Sequence, residues 1–199
     1  MKVAIVGGTG DFGLALAARL VEAGDEVVLG SRDAARAQEK AAEVGAAGAT
    51  NDEAVASVEL VVLATNASAT LETAAALADA IGTTPVLSVA SDLRSADSLS
   101  LAERTQELLA GPVVAGLQSL AAAKLAAGRP DEDAFVCGDD ADAKALALEL
   151  AAKAVAGRAL DAGPLSRARV LEGLTGLIVS LNKRYKGHAG IRVTGLPEA

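Results

Sequence analysis

The chain of 199 residues contains one cysteine, one histidine, one tyrosine, two phenylalanines and no tryptophan. With only Cys137 there is no internal disulfide framework, and one cysteine with one histidine, His188, makes no metal site of recognisable ligand spacing. Aromatic residues make up 2 % of the chain, so a hydrophobic content of 51 % is carried by alanine and the aliphatic side chains. Such helices can lie close against a sheet. No apolar run approaches the roughly 20 residues that span a bilayer; Lys124 and Asn182 interrupt the longest candidates. No signal-peptide pattern precedes the first strand, and these features together suit a cytoplasmic protein with no membrane partner. Basic residues are also in deficit, 18 against 26 acidic ones, and the net charge of −8 argues against nucleic acid as a partner. There is no Gly-x-Ser-x-Gly nucleophile elbow and no pair of acids placed for acid–base work.

Glycine is abundant, and its placement is informative. Lys2-Val3-Ala4-Ile5-Val6 reads as a buried parallel strand, and Leu14 to Ala23 reads as a helix with Leu16, Leu20 and Val21 on its apolar stripe. Between them, Gly8, Gly10 and Gly13 fit G-x-G-x-x-G. In this pattern Gly8 permits the tight turn, Gly10 lets the backbone approach a pyrophosphate, and Gly13 lets helix and strand pack closely. Free N–H groups and the positive dipole end of the helix then face the phosphates.

The second strand, Glu26–Gly30, ends in Gly30-Ser31-Arg32, with Arg36 one helical turn further on. An enzyme that binds NAD usually carries an acid at this tip to hold the ribose 2′-hydroxyl. A hydroxyl and two guanidinium groups instead suit a 2′-phosphate, so NADP(H) is expected, held by Ser31, Arg32 and Arg36. Strand and helix then alternate: a helix over 33–44, a weak strand over 46–50, a short helix over 51–56, and a clear strand over Glu59–Ala64. The loop Thr65-Asn66-Ala67-Ser68 follows at the carboxyl edge of the sheet, where Thr65 and Asn66 are expected to line the cofactor crevice. A helix over 71–81, a strand over 85–89, a polar loop over 90–97, a helix over 99–109 and a strand over 112–115 complete the pattern. It predicts an α/β, Rossmann-type doubly wound parallel sheet.

Gly128-Arg129-Pro130-Asp131 reads as a boundary between a dinucleotide-binding domain, residues 1–127, and a small, mainly helical C-terminal domain, residues 128–199. The second part holds the strand Ala134–Gly138, a helix opened by Asp139-Asp140, a short strand over 158–161, and a long last helix reaching Arg184. Leu171, Leu174, Leu177, Ile178 and Leu181 are expected on one face of that helix, which suits a core or a dimer interface. Lys183, Arg184, Lys186 and Arg192 cluster at its end in an otherwise acidic chain. This suits either an anionic ligand or the negative end of the helix dipole. Cys137, in an apolar strand, reads as structural. Hydride transfer between two bound cofactors would need no acid, base or nucleophile from such a chain, only rings held face to face with water excluded.

Val3-Ala4-Ile5-Val6-Gly7-Gly8-Thr9-Gly10, Gly30-Ser31-Arg32, Val136-Cys137-Gly138-Asp139-Asp140 and Leu160-Asp161-Ala162-Gly163-Pro164-Leu165 together resemble the F420:NADP oxidoreductases. The ending, from Leu174-Thr175-Gly176-Leu177 through Asn182-Lys183-Arg184-Tyr185-Lys186-Gly187-His188-Ala189, resembles them too. The resemblance implies reversible hydride transfer between nicotinamide C4 and C5 of the deazaflavin coenzyme F420, with no catalytic side chain. It implies that Thr9, Gly10, Asp11 and Phe12 surround the NADP phosphates and ribose. The deazaflavin would lie near the end of the last helix, by Asn182 and Arg184, where the cations suit its phosphate and oligoglutamate tail. Two positions depart from the family pattern. Thr65–Ser68 replaces a bulky pair after the fourth strand, and Gln118 stands where a histidine is common; Gln118 is expected to hydrogen-bond a ring carbonyl. Both changes lie at the second substrate. They favour, as an alternative, reduction of a small imine or carbonyl; a second alternative is an NADP(H)-sensing protein, which tight NADPH binding without turnover would mark. A homodimer is expected.

Overall fold

Short runs of β-branched and aliphatic residues form the centre of one eight-stranded sheet, in a computed structural model that describes residues 1–197. The strands are β1 (Lys2–Val6), β2 (Glu26–Ser31), β3 (Ala47–Thr50), β4 (Leu60–Leu63), β5 (Val86–Ser88), β6 (Val113–Gly116), β7 (Ala134–Gly138) and β8 (Ala159–Asp161). Their order across the sheet is β3-β2-β1-β4-β5-β6-β7-β8. The helices are α1 (Asp11–Glu22), α2 (Ala34–Ala42), α3 (Asn51–Ala54), α4 (Ala67–Ile81), α5 (Leu101–Gln106), α6 (Ala122–Ala127), α7 (Ala141–Ala154) and α8 (Ala168–Tyr185). The period of two in β1 divides the core. Val3 and Ile5 face the cluster that includes Leu16 and Leu20 of α1 and Leu150 of α7. Ala4 and Val6 face the opposite cluster, with Leu77 of α4, Ala102 of α5 and Leu171 of α8. The central strands are therefore covered on both faces, as a parallel sheet requires.

The expected Rossmann-type sheet is present, with one exception to its parallel run: β7 pairs antiparallel to β6. The cause is the connection. After β6 the chain stays at the carboxyl edge, makes α6, which was not expected, and re-enters from that side. β8 then pairs parallel to β7. The helical C-terminal region is present, and its two strands extend the main sheet. The last two residues of the range 128–199 lie outside those described.

Two local expectations change. α4 begins at Ala67 rather than Leu71, so Ala67 and Ser68 lie in its first turn and Ala64, Thr65 and Asn66 remain as the link from β4. In α8, Leu171 and Ile178 are buried but Leu177 is 52 % exposed. The leucines of that helix do not form one buried stripe.

Candidate functional site

The turn after β1 is built by close backbone packing. Gly7, not Gly8, takes the left-handed conformation, at φ +76°. Gly8 is needed for space: a Cβ there would lie 2.7 Å from the Ile5 carbonyl oxygen and from Leu29 Cδ2. A Cβ on Gly13 would lie 2.7 Å from Gly8 Cα, so α1 presses directly on the turn. Gly10 differs, because its Cβ position meets only the Gly7 carbonyl oxygen, at 3.5 Å, and otherwise faces open space. That space is a cavity of about 760 Å³ lined by Gly7, Thr9 and Gly10 and, further out, by Ser31, Arg32 and Arg36. Gly8, Asp11 and Gly13 line neither this cavity nor the one described next; Asp11 is exposed at the start of α1.

At the tip of β2, Asp33 caps α2 by accepting the Arg36 N–H at 3.2 Å, and its own N–H donates to Ser31 Oγ at 3.2 Å. The Arg32 and Arg36 side chains are exposed, and among the described residues neither forms an ion pair. Two unpaired guanidinium groups lining this cavity fit a 2′-phosphate. Thr50, Asn51, Asp52 and Glu72 also line this cavity and were not singled out in the sequence. Asn51 Oδ1 is buried without a partner. No sequence pattern marks that group, because it reaches the cavity only through the β2–β3 pairing.

A second cavity of about 270 Å³ lies beyond the first, and the two share Thr65 and Asn66. Phe12, Val89, Ala90, Leu117 and Leu120 give it apolar walls, and Ser91, Gln118 and Thr175 give it polar ones. Its hydroxyl groups have committed protons. Thr70 Oγ1 donates to the Asn66 carbonyl at 3.1 Å, so Thr65 Oγ1 is the donor in its 3.0 Å contact with Thr70. Leu117 turns the chain with φ +69°, a rare conformation for a bulky residue. Gln118, 7 % exposed, follows it. The Gln118 Nε2 donates to the Ser88 carbonyl at 3.1 Å. One proton of the Gln118 amide thus faces a main-chain acceptor, and the expected bond to a ring carbonyl would draw on the other.

α8 brings Thr175 to this cavity. Glu172 on the same helix accepts the Leu101 N–H at 2.7 Å, and burial raises its pKa above the usual carboxylate value. Arg169, one turn earlier, donates to the carbonyls of Ser95 and Asp97 at 2.9 and 3.2 Å. Together they hold the loop that supplies Ser91. Beyond Thr175 the helix overhangs: Val179, on the same face, is 57 % exposed.

Asn182 and Arg184 line neither cavity. Asn182 Oδ1 accepts the Ala189 N–H at 2.5 Å, and the Arg184 guanidinium lies 6.0 Å from the Tyr185 ring centroid. The basic cluster divides. Arg192 is held by Asp131 at 2.8 and 2.9 Å, whereas Lys183, Arg184 and Lys186 are exposed. The tail is clamped through Asp133, which receives the Arg158 guanidinium at 2.7 Å and the Val193 N–H at 2.8 Å. The Arg158 hydrogen bond holds the Asp133 carboxyl well below the usual carboxylate range. Cys137 is buried in β7, and burial pushes its thiol up to about 12, so it is an inert core group.

A doubly wound sheet with a glycine turn opening onto a long cavity at its carboxyl edge defines a dinucleotide-binding protein of the Rossmann class. Residues 2–92 match the family model described as NADP oxidoreductase, coenzyme F420-dependent. The chain is 39 % identical to the F420-dependent NADP reductase of Methanothermobacter thermautotrophicus, covering 100 % of this chain and 97 % of that one. It is 33 % identical to the enzyme of the same name from Methanocaldococcus jannaschii, over 98 % and 99 % of the two chains. A crystal structure of a candidate F420-dependent NADP-reductase from Arthrobacter sp. FB24 superposes with a TM-score of 0.86 at 25 % identity, covering 98 % of this chain and all of that one. An imine reductase from Streptomyces aurantiacus shares the fold, with a TM-score of 0.69 at 23 % identity over 91 % of this chain and 61 % of that one. The chain belongs to the family of F420-dependent NADP reductases.

Proposed function

We propose that this protein is an oxidoreductase that moves a hydride reversibly between NADP(H) and the deazaflavin coenzyme F420. The observation that carries this reading is the meeting of the two cavities at Thr65 and Asn66. A dinucleotide whose 2′-phosphate lies against Ser31, Arg32 and Arg36, and whose pyrophosphate lies against Thr9 and Gly10, has its far end directed to the mouth of the second cavity. NADP(H) supplies or accepts the hydride there. Phe12, Val89, Leu117 and Leu120 exclude water from the reacting faces. None of the residues lining the second cavity is ionisable. That supports exchange between two cofactors over reduction of an imine or carbonyl, which would call for a proton donor beside the substrate.

In this reading residues 1–127 hold the dinucleotide and residues 128–199 close the second cavity through Thr175. Asn182 and Arg184 meet the coenzyme's distal end along the overhanging part of α8. The protein works as a cytoplasmic homodimer. The free Cys137 thiol supports the compartment. The dimer is supported by apolar residues that α8 leaves exposed: Val170, Leu177 and Val179 are 58, 52 and 57 % exposed. The test is a spectrophotometric assay of oxidised F420 with NADPH, run beside NADH. Bleaching with NADPH and little with NADH is expected; NADPH binding without any bleaching overturns the reading. Light scattering of the same sample reports the dimer.

A further inference from the structure

Gln118 is anchored through its side-chain amide nitrogen and its main-chain carbonyl, while its side-chain oxygen is left over. The Ser88 carbonyl can only accept, so the side-chain atom facing it at 3.1 Å is the amide nitrogen, and the orientation of the amide follows. The Gln118 main-chain carbonyl accepts from Thr175 Oγ1 at 2.7 Å. Because that spends the only proton of Thr175, Ser91 Oγ is the donor in the 2.7 Å contact between the two hydroxyls. Residue 118 is thus fixed from three directions: by β5 through Ser88, by α8 through Thr175, and by the left-handed turn at Leu117. Gln118 Oε1 is buried and without a partner, on a residue that lines the second cavity. The hydroxyls of Ser88 and Ser119 are likewise buried and unpaired, so neither satisfies it.

We infer that Gln118 is a specificity-determining residue, whose Oε1 accepts an amide or imide N–H from the ring bound in the second cavity. The inference rests on the reading that the dinucleotide or its redox partner fills this cavity. A buried acceptor left unpaired is costly, and a donor that pairs with it restores what burial removed. A carbonyl oxygen in the same place would set acceptor against acceptor. Two rings carry the required donor: nicotinamide in its carboxamide, and a deazaflavin in the imide N–H of its pyrimidine ring.

The test is equilibrium binding to the full-length protein, which needs no turnover. One arm compares NADP⁺ with its 3-acetylpyridine analogue, in which a methyl ketone replaces the amide. The other arm, on protein saturated with NADP⁺, compares an 8-hydroxy-5-deazaflavin with its N3-methyl derivative by fluorescence quenching. In one arm the ligand without the N–H is expected to bind about tenfold or more weakly, and the arm that responds identifies the ring. Gln118→Met keeps the volume without the acceptor and is expected to bring that ratio close to one. Equal binding within both pairs by the unsubstituted protein overturns the inference, and so does a ratio that survives in full in Gln118→Met. If Gln118→Met does not fold, Thr175→Val replaces it. A reduced ratio then supports the inference and an unchanged one overturns it. Absence of deazaflavin binding defeats the proposed reaction and leaves the nicotinamide arm to decide this inference.

Discussion

The two cavities are made in different ways. The inner wall of the first comes from Gly7, Thr9 and Gly10 of one short turn, with the tips of β2 and β4 close by. The polar wall of the second is assembled from β5, the turn after β6 and α8, and one of its hydrogen bonds joins residues 84 positions apart, Ser91 and Thr175. Local backbone geometry makes a phosphate cradle, because N–H groups and a helix end are available wherever glycine lets a ligand approach. Presenting an oriented acceptor takes tertiary structure, because the contacts that fix the residue come from different directions. The first cavity should therefore be sensitive to added volume in its glycines, and the second to loss of the contacts that hold α8 and the tail.

The largest effect is expected in the second region. Arg158→Ala leaves the fully buried Asp133 carboxylate with main-chain donors only. Breaking such a pair is expected to cost about 3 kcal/mol or more, read by urea unfolding at pH 7. Because the folded state lowers the pKa of Asp133, this stability is present above the ordinary value of 3.8 and is lost as pH falls through and below it. The gap between variant and parent should narrow in acid. A gap that does not depend on pH would remove the carboxylate from the clamp.

In the first region, two glycine substitutions should separate packing from binding. Gly13→Ala drives a methyl to 2.7 Å from Gly8 Cα, and overpacking of that kind costs about 1–3 kcal/mol. Gly10→Ala has only the Gly7 carbonyl oxygen nearby, at 3.5 Å. Its melting temperature should stay near that of the parent while NADPH binding weakens, since the methyl occupies space meant for the ligand. Equal loss of stability in both variants would show that Gly10, too, serves the fold alone.

Arg32→Ala sharpens the same region chemically. A charge-assisted hydrogen bond contributes about 1.5–3 kcal/mol, so NADPH affinity should fall roughly tenfold to a hundredfold, with NADH nearly unchanged. Equal weakening of both would place the 2′-phosphate elsewhere.

The contrast between the cavities also explains what could be read in the sequence. Gly8, Gly10 and Gly13, the basic tip at Ser31 and Arg32, and the order of strands are local patterns, and the structure repeats them with small shifts of boundary. The shift of the turn from Gly8 to Gly7 reflects a motif that marks glycine but not which glycine bends. The reversal of β7 follows a connection that holds α6, an alanine-rich helix six residues long with no distinctive periodicity. Ser91 and Thr175 look like ordinary polar residues of a loop and a helix until the fold brings them together. The exposed side of α8 was unreadable for a similar reason: leucine spacing reports an apolar face but not which part of it the monomer covers.

The smallest expected effect lies at the end of α8, where the fold and the charge cluster make opposite demands on one residue. Lys186 follows the last turn with φ +52°, the left-handed conformation that glycine adopts without strain. As a fold element it should be improved by Lys186→Gly, because relief of about 1–2 kcal/mol of left-handed strain outweighs about 0.4–1 kcal/mol of added unfolded-chain entropy, a net gain of up to about 1 kcal/mol. For a chain of this size that is a rise of up to about 4 °C in melting temperature. As one of the exposed cations it should be missed by an anionic ligand, because an exposed charge contributes up to about 1 kcal/mol. KM for F420 carrying its oligoglutamate tail should then rise less than tenfold and the rise should fade with added salt. KM for a deazaflavin without the tail should not move. A more stable variant with the parent's KM for both would assign the cations to the helix dipole, and would confine recognition of the second substrate to the cavity around Gln118.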